Sequence, residues 1–186
     1  MKRKILWLIP MIIVLLTANT VSASANSNVP YQTYNYDYWG DVRYTPAAYI
    51  PNGNISGTDL GTGVLVTPQD IFVTEDGRVY IADTGNNRII VLNKDMKLER
   101  IIDSFDNNGT QDTFKTPSGI YVTSDNDVYI ADTDNLRVVA LKEDGSLLKM
   151  ISNPKSEVLG AGFVFSPLKV TVDYADRVYV IAKNMF

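Results

Sequence analysis

The chain of 186 residues contains no cysteine and no histidine. The first absence excludes disulfides, thiolate metal ligands and a lipid-carrying cysteine, so a fold made from this sequence is held by packing alone. The second removes the residue that most enzymes use to activate a serine or to ligate zinc. Neither a Ser-His-Asp nor a Cys-His arrangement exists in the visible chain, and a zinc site would have to be built from carboxylates only. Basic residues are also in the minority, 17 Lys and Arg against 21 Asp and Glu. Phosphate neutralisation by Lys and Arg carries nucleic-acid affinity, so an acidic chain is a poor candidate for that partner.

Long apolar runs are absent except at the start. Met1-Lys2-Arg3-Lys4 is basic, Ile5 to Ala18 is apolar, and Ala23-Ser24-Ala25 places small residues where a signal peptidase reads. That order is the pattern of a secretory signal over residues 1–25, with cleavage expected before Asn26 or Ser24. The apolar run falls short of the roughly 20 residues that span a bilayer, which disfavours the rival reading of a retained anchor. Cleavage leaves 14 basic and 21 acidic residues, a net charge of −7.

What the sequence does have is a segment that repeats. Pro68, Ile71-Phe72-Val73, Val79-Tyr80-Ile81-Ala82-Asp83-Thr84 and Arg88 return 49 positions later as Pro117, Ile120-Tyr121-Val122, Val128-Tyr129-Ile130-Ala131-Asp132-Thr133 and Arg137. A third copy opens with Pro167, Val170-Thr171-Val172 and Val178-Tyr179-Val180-Ile181-Ala182. Each full copy holds four short β-rich stretches separated by turn residues, which is the mark of a propeller blade. The strands expected are 70–74, 78–82, 88–93 and 98–103, then 118–123, 127–131, 137–142 and 146–151. Val79 to Ala82 and Val128 to Ala131 are apolar at successive positions, as strands buried on both faces must be. The expected fold class is therefore all-β: a truncated β-propeller with two complete four-stranded blades, 68–116 and 117–166, and the inner half of a third, 167–186. Residues 26–67 form a tyrosine-rich lead-in, read as one strand over Tyr34, Tyr36 and Tyr38 followed by a long arm punctuated by Pro46, Pro51, Gly53, Gly57, Gly61 and Gly63.

The string Val-Tyr-Ile-Ala-Asp-Thr-Gly-Asn-Asn-Arg-Ile at 79–89, returning as Val-Tyr-Ile-Ala-Asp-Thr-Asp-Asn-Leu-Arg-Val at 128–138, resembles the NHL repeat. The resemblance covers residues 68 to about 182 and weakens in the third copy, where Lys183 is read at the place of Asp83 and Asp132. It implies a propeller, commonly six-bladed, that serves mainly as a platform for ligands or partners and in a minority as a hydrolase or lyase. A secreted form with this lead-in also resembles bacterial proteins labelled gluconolactonase-like.

Asp83, Asn87 and Arg88, with Asp132, Asn135 and Arg137, are read as structural because they recur in each complete blade, whereas an active site needs unique residues. The Asp carboxylates are expected to accept N–H groups of the adjoining turn, and the asparagines to adopt left-handed turn conformations. Asp125-Asn126-Asp127 and Asp132-Thr133-Asp134-Asn135 concentrate oxygen atoms but lack calcium-loop spacing. No catalytic residue, metal ligand or cofactor is assigned. The tyrosines at 31, 34, 36, 38, 44 and 49, with Trp39, suit either packing at a sheet edge or stacking on a sugar.

The unrepeated connections 104–116 and 152–166 emerge on one end of the blades and are the favoured ligand-binding loops. The expected function is an extracytoplasmic scaffold that binds a protein, peptide or carbohydrate partner through that face. The alternative is a metal-dependent hydrolase of lactonase type completed by further blades, and a sensor domain tied to a membrane by a further segment is a third reading. Mass spectrometry of exported protein should give an N-terminus at Asn26 or Ser24; intact Met1 on membrane-bound material would contradict the signal.

Overall fold

The computed structural model describes residues 33–45, 53–154, 156–160 and 162–183. The signal segment, Tyr31, Tyr49, Pro46 and Pro51 lie outside them. The chain divides into two units, Met1–Asn54 and Ile55–Phe186. Among the described residues no helix is long and apolar enough to cross a membrane.

In the first unit β1 (Thr33–Tyr36) pairs with β2 (Val42–Thr45) in an antiparallel ribbon. The lead-in thus holds two strands rather than one, and the first ends at Tyr36 instead of running through Tyr38. Asp37 turns the chain there. Its Oδ1 accepts the N–H groups of Trp39 and Asp41 at 3.0 Å, and its Oδ2 accepts Arg43 Nε at 2.9 Å. A carboxylate that satisfies two backbone donors offers the chain a turn in place of continued strand. The register sets Tyr34 opposite Tyr44 and Tyr36 opposite Val42, so one face of the ribbon is aromatic.

The second unit begins with a four-stranded antiparallel sheet, β3 (Asp70–Val73), β4 (Val79–Asp83), β5 (Arg88–Leu92) and β6 (Leu98–Ile102), adjacent in chain order. A hairpin follows, β7 (Ser104–Asn107) and β8 (Thr110–Thr113). The second four-stranded sheet is β9 (Pro117–Val122), β10 (Val128–Asp132), β11 (Arg137–Leu141) and β12 (Leu147–Ile151). β13 (Ser166–Val172) and β14 (Val178–Lys183) form a two-stranded antiparallel sheet. The strand-rich reading of the repeats holds, with boundaries displaced by a residue or so from those read in the sequence.

Alternation explains why β10 and β11 are apolar at successive positions, Val128 to Ala131 and Val138 to Leu141. Val128 and Ile130 of β10 join Tyr80, Ile89 and Val91 of the first sheet in one core cluster. Tyr129 and, from β11, Val138 and Ala140 join Val170 and Val172 of β13 in another. Successive side chains on a strand point to opposite faces, so a sheet with a neighbour on each side needs apolar residues at every position. The sheets stack as blades.

Polar contacts fix the stacking distance. Thr84 Oγ1 donates to the Pro117 carbonyl, and Thr133 Oγ1 to the Pro167 carbonyl, each at 2.7 Å. The threonine of one Ala-Asp-Thr string is thereby fastened to the proline that opens the next repeat. Gly119 in β9 permits a close approach of β13, since a Cβ there would lie 2.5 Å from the Leu168 carbonyl oxygen and 2.9 Å from Lys169 Cα. At the same level Asp70 of the first blade accepts the Ile120 N–H at 2.8 Å and pairs with Lys169 of the third sheet.

The third sheet also corrects the alignment of its own repeat. Ala182 stands opposite Pro167 as Asp132 stands opposite Pro117. Ala182, and not Lys183, therefore occupies the place of the repeated aspartate. The strings agree with this place, since Pro117, Val128 and Asp132 all return 50 positions on, as Pro167, Val178 and Ala182.

Candidate functional site

Between the second and third strands of each four-stranded blade the chain makes a single 3-10 turn, Thr84–Asn86 in one and Thr133–Asn135 in the other. Each turn is preceded by a fully buried aspartate, Asp83 or Asp132. Asp83 Oδ1 accepts the Val66 N–H at 2.7 Å, and its Oδ2 accepts Asn86 Nδ2 at 2.8 Å and Arg88 Nε at 2.7 Å. Asp132 repeats this with the Lys115 N–H at 2.7 Å, Asn135 Nδ2 at 2.9 Å and Arg137 Nε at 2.7 Å. A carboxylate removed from water is tolerated only where donors and an opposite charge replace its hydration, and here both are present.

Two details differ from the sequence reading. The backbone donor comes from the connection 17 residues upstream and not from the adjoining turn. Asn87 does take the left-handed conformation, φ 55°, but in the second blade that position falls on Leu136, φ 56°. Asn135 is the counterpart of Asn86, and it spends its amide on Asp132 and on the Thr113 carbonyl, 3.1 Å away. Asn87 has a separate task, its Oδ1 accepting at 2.8 Å the N–H of Thr116, the residue before β9.

Among the described residues Arg137 has more partners than Arg88. Its Nη1 and Nη2 donate to the two carboxylate oxygens of Asp112 at 2.7 and 3.0 Å, and Nη2 also reaches the Thr113 carbonyl at 2.9 Å. The guanidinium lies 5.4 Å from the centroid of the Phe105 ring, which in turn packs on Phe114 with centroids 5.4 Å apart. This planar fork, satisfied on two carboxylates and stacked on a ring, suits Arg and not Lys. The hydrogen bonds from Arg137 hold the Asp112 carboxyl down at about 2, against its ordinary value of 3.8.

The favoured connection 104–116 is thus an ordered hairpin rather than an irregular loop. Its signal was present in the sequence as Asn108-Gly109, both at positive φ, 55° and 86°, as the tightest hairpin turn requires. Phe105 is buried and Asp112 half-buried under Arg137, while Asp106, Asn108, Thr110 and Gln111 are exposed. In the other favoured connection, 152–166, the described residues include a 3-10 turn at Glu157–Leu159 capped by Ser156, with Val158 93% exposed. Sequence inspection did not single out the opposite end of the blades. There the turns after β3, β9 and β13 border a concavity of about 720 Å³ whose lining includes Phe72, Tyr121, Glu75, Asp125 and Tyr174. Among the described residues no group of three or more carboxylates is placed to hold a metal ion.

The family model described as NHL repeat matches residues 65–92 and 114–141, the two buried-aspartate blades. The chain carries two NHL repeats. Comparison with curated proteins gives no match. Among solved structures, a streptogramin B lyase shares 14% identity at a TM-score of 0.47, over 81% of this chain and 41% of that one. A virginiamycin B lyase from Staphylococcus aureus shares 13% at 0.45, over 81% and 42%. Hydrazine synthase from Kuenenia stuttgartiensis shares 14% at 0.49, over 73% and 33%. The chain spans less than half the length of each, and a gluconolactonase label finds no support in these matches. Asp83 with Arg88 and Asp132 with Arg137 recur in both NHL repeats, whereas among the described residues the hairpin follows the first of them alone.

The Asp112 carboxyl sets a pH dependence. Its folded value lies below its unfolded one, so the contact with Arg137 contributes stability at neutral pH that is lost as pH falls from about 4 towards 2. Amide exchange of Phe105 and Thr113 should accelerate over that interval relative to β10 and β11, and Asp112→Asn should show the acid-state exchange at pH 7. Unchanged exchange in that variant would mean that Arg137 does not hold the hairpin.

Proposed function

We propose that this chain is an exported NHL-type scaffold that binds a partner through the end of the blades carrying the 104–113 hairpin and the 152–166 connection. The observation that carries the reading is the division of labour around Arg137. Its Nε completes a buried node common to both blades, and its two terminal nitrogens hold an element found in one. Fixing a hairpin in advance lowers the ordering cost of binding, which is where much affinity is otherwise lost. The exposed carboxylate, amide and hydroxyl groups of Asp106, Asn108, Gln111 and Thr110 are chemistry suited to the hydrogen-bonding groups of a peptide backbone or of a sugar. Export rests on the Lys-Arg-Lys start, the apolar run and Ala23-Ser24-Ala25.

The competing reading is a metal-dependent lactonase completed by further blades. Two measurements separate them. A variant carrying Thr110→Ala, Gln111→Ala and Val158→Asp should keep its melting temperature within about 2 °C, as exposed substitutions do, and lose binding on a peptide and glycan array at least tenfold. Glu75→Ala at the other end should leave that binding unchanged. In a sugar-lactone assay supplemented with calcium or zinc the protein should give no turnover. Turnover abolished by a chelator and restored by metal would establish the enzyme and overturn the scaffold.

A further inference from the structure

The tip of the 104–113 hairpin carries chemistry of its own. Asn108 is exposed and is followed by Gly109, and the paired Asn107 and Thr110 enclose them in a tight turn. A Cβ built on Gly109 would meet nothing within 4 Å, so the space beside its backbone is open. An asparagine carboxamide next to a glycine nitrogen is an electrophile beside a nucleophile, and the absent side chain is what lets the two approach. Two hydrogen bonds oppose that approach in the folded turn. The Gly109 N–H donates to Asp106 Oδ1, and Asn108 Nδ2 donates to Asn107 Oδ1 at 3.2 Å. The nitrogen must lose its proton before it attacks, and a carboxylate at its side disfavours the negative charge that results.

We propose that Asn108-Gly109 is a self-modification site, at which the Gly109 nitrogen closes on the Asn108 carboxamide and converts it to aspartate or isoaspartate, with Asp106 as the brake. Hydroxide takes the proton from the Gly109 nitrogen. That nitrogen forms a bond to Asn108 Cγ, the bond from Cγ to Nδ2 breaks, and Nδ2 leaves as ammonia with a proton from water. Water then opens the cyclic imide. Cleavage at Cγ gives aspartate, and cleavage at the Asn108 backbone carbonyl gives isoaspartate, in which the chain runs through Cγ. Nothing is oxidised or reduced.

The consequence is local because the base of the hairpin is held elsewhere, by Arg137 on Asp112. Either product sets a new carboxylate near Asp106. Isoaspartate also adds a carbon to the backbone of a turn whose closure depends on positive φ at both central residues, 55° at Asn108 and 86° at Gly109. The lengthened chain no longer fits the pairing of Asn107 with Thr110. On the reading of this hairpin as the binding face, which this consequence rests on, conversion alters the surface that a partner meets.

The test is incubation of the full chain at pH 6, 7.5 and 9 in ordinary and in heavy-oxygen water, followed by mass spectrometry of the tryptic peptide 101–115. Wild-type protein should accumulate aspartate and isoaspartate at Asn108, faster at higher pH, and carry the oxygen label taken up when the imide opens. Asp106→Ala should quicken the conversion about three- to tenfold, the range over which one hydrogen bond shifts an equilibrium. Asn108→Gln, whose carboxamide must close a larger ring, should stay intact over the same period. An unmodified Asn108 in both wild type and Asp106→Ala would overturn the site, and equal rates in the two would overturn the brake. The readout needs no partner, so its failure is distinguishable from a failure of the scaffold reading.

Discussion

A carboxylate with no exposure to water organises each complete blade. Asp83 and Asp132 are each reached by a backbone N–H of the preceding connection, an asparagine amide from the turn and an arginine Nε from the following strand. Three separate pieces of chain must converge for the charge to be satisfied, so the path of the connection, the shape of the turn and the start of the third strand are set together. Failure of any one leaves a charge in a medium that does not hydrate it. Burial of Val, Ile and Tyr on both sides supplies the bulk of the driving force, but it is non-directional. The carboxylate supplies direction.

That constraint extends outward unequally. Among the described residues Arg88 pairs with Asp83, whereas in the second blade Arg137 also reaches Asp112 and Phe105 and holds a hairpin. Threonine to proline carbonyl bonds tie successive repeats together, and Gly119 admits β13 at a distance that no side chain would allow. The copies share these residues and differ in others: Arg137 gains a second carboxylate partner from the hairpin, and Ala182 stands in place of an aspartate.

Much of the fold was legible in the residues because the information was local or periodic. The strand pairs follow from β-branched runs between turn residues, and the burial of both faces from apolar residues at successive positions. What was not legible depended on distance along the chain. Nothing in the string around Asp83 names Val66 as its donor, and the resemblance between Asn87 and Asn135 concealed that the structural pairs are Asn86 with Asn135 and Asn87 with Leu136. Asn108-Gly109 is a hairpin signal that local reasoning recognises, yet it lay in a stretch marked as a loop because it does not repeat. Asp37 likewise ended a strand that the alternation of tyrosines had extended. The 104–116 connection was already a candidate surface in the sequence, but its hairpin shape and the concavity at the other end emerged only from register and stacking.

The central claim is that the buried aspartate and its arginine act as a unit. Equilibrium unfolding of Asp132→Ala, Arg137→Ala and the double variant tests it. Arg137→Ala, which leaves the carboxylate buried without its partner, should cost about 3 kcal/mol or more. The double variant should cost less than the sum of the singles by about 1 kcal/mol or more, the signature of residues in one network. Single costs within about 0.5 kcal/mol, the range of ordinary surface substitutions, combined with simple additivity, would show that the blades do not depend on this pair.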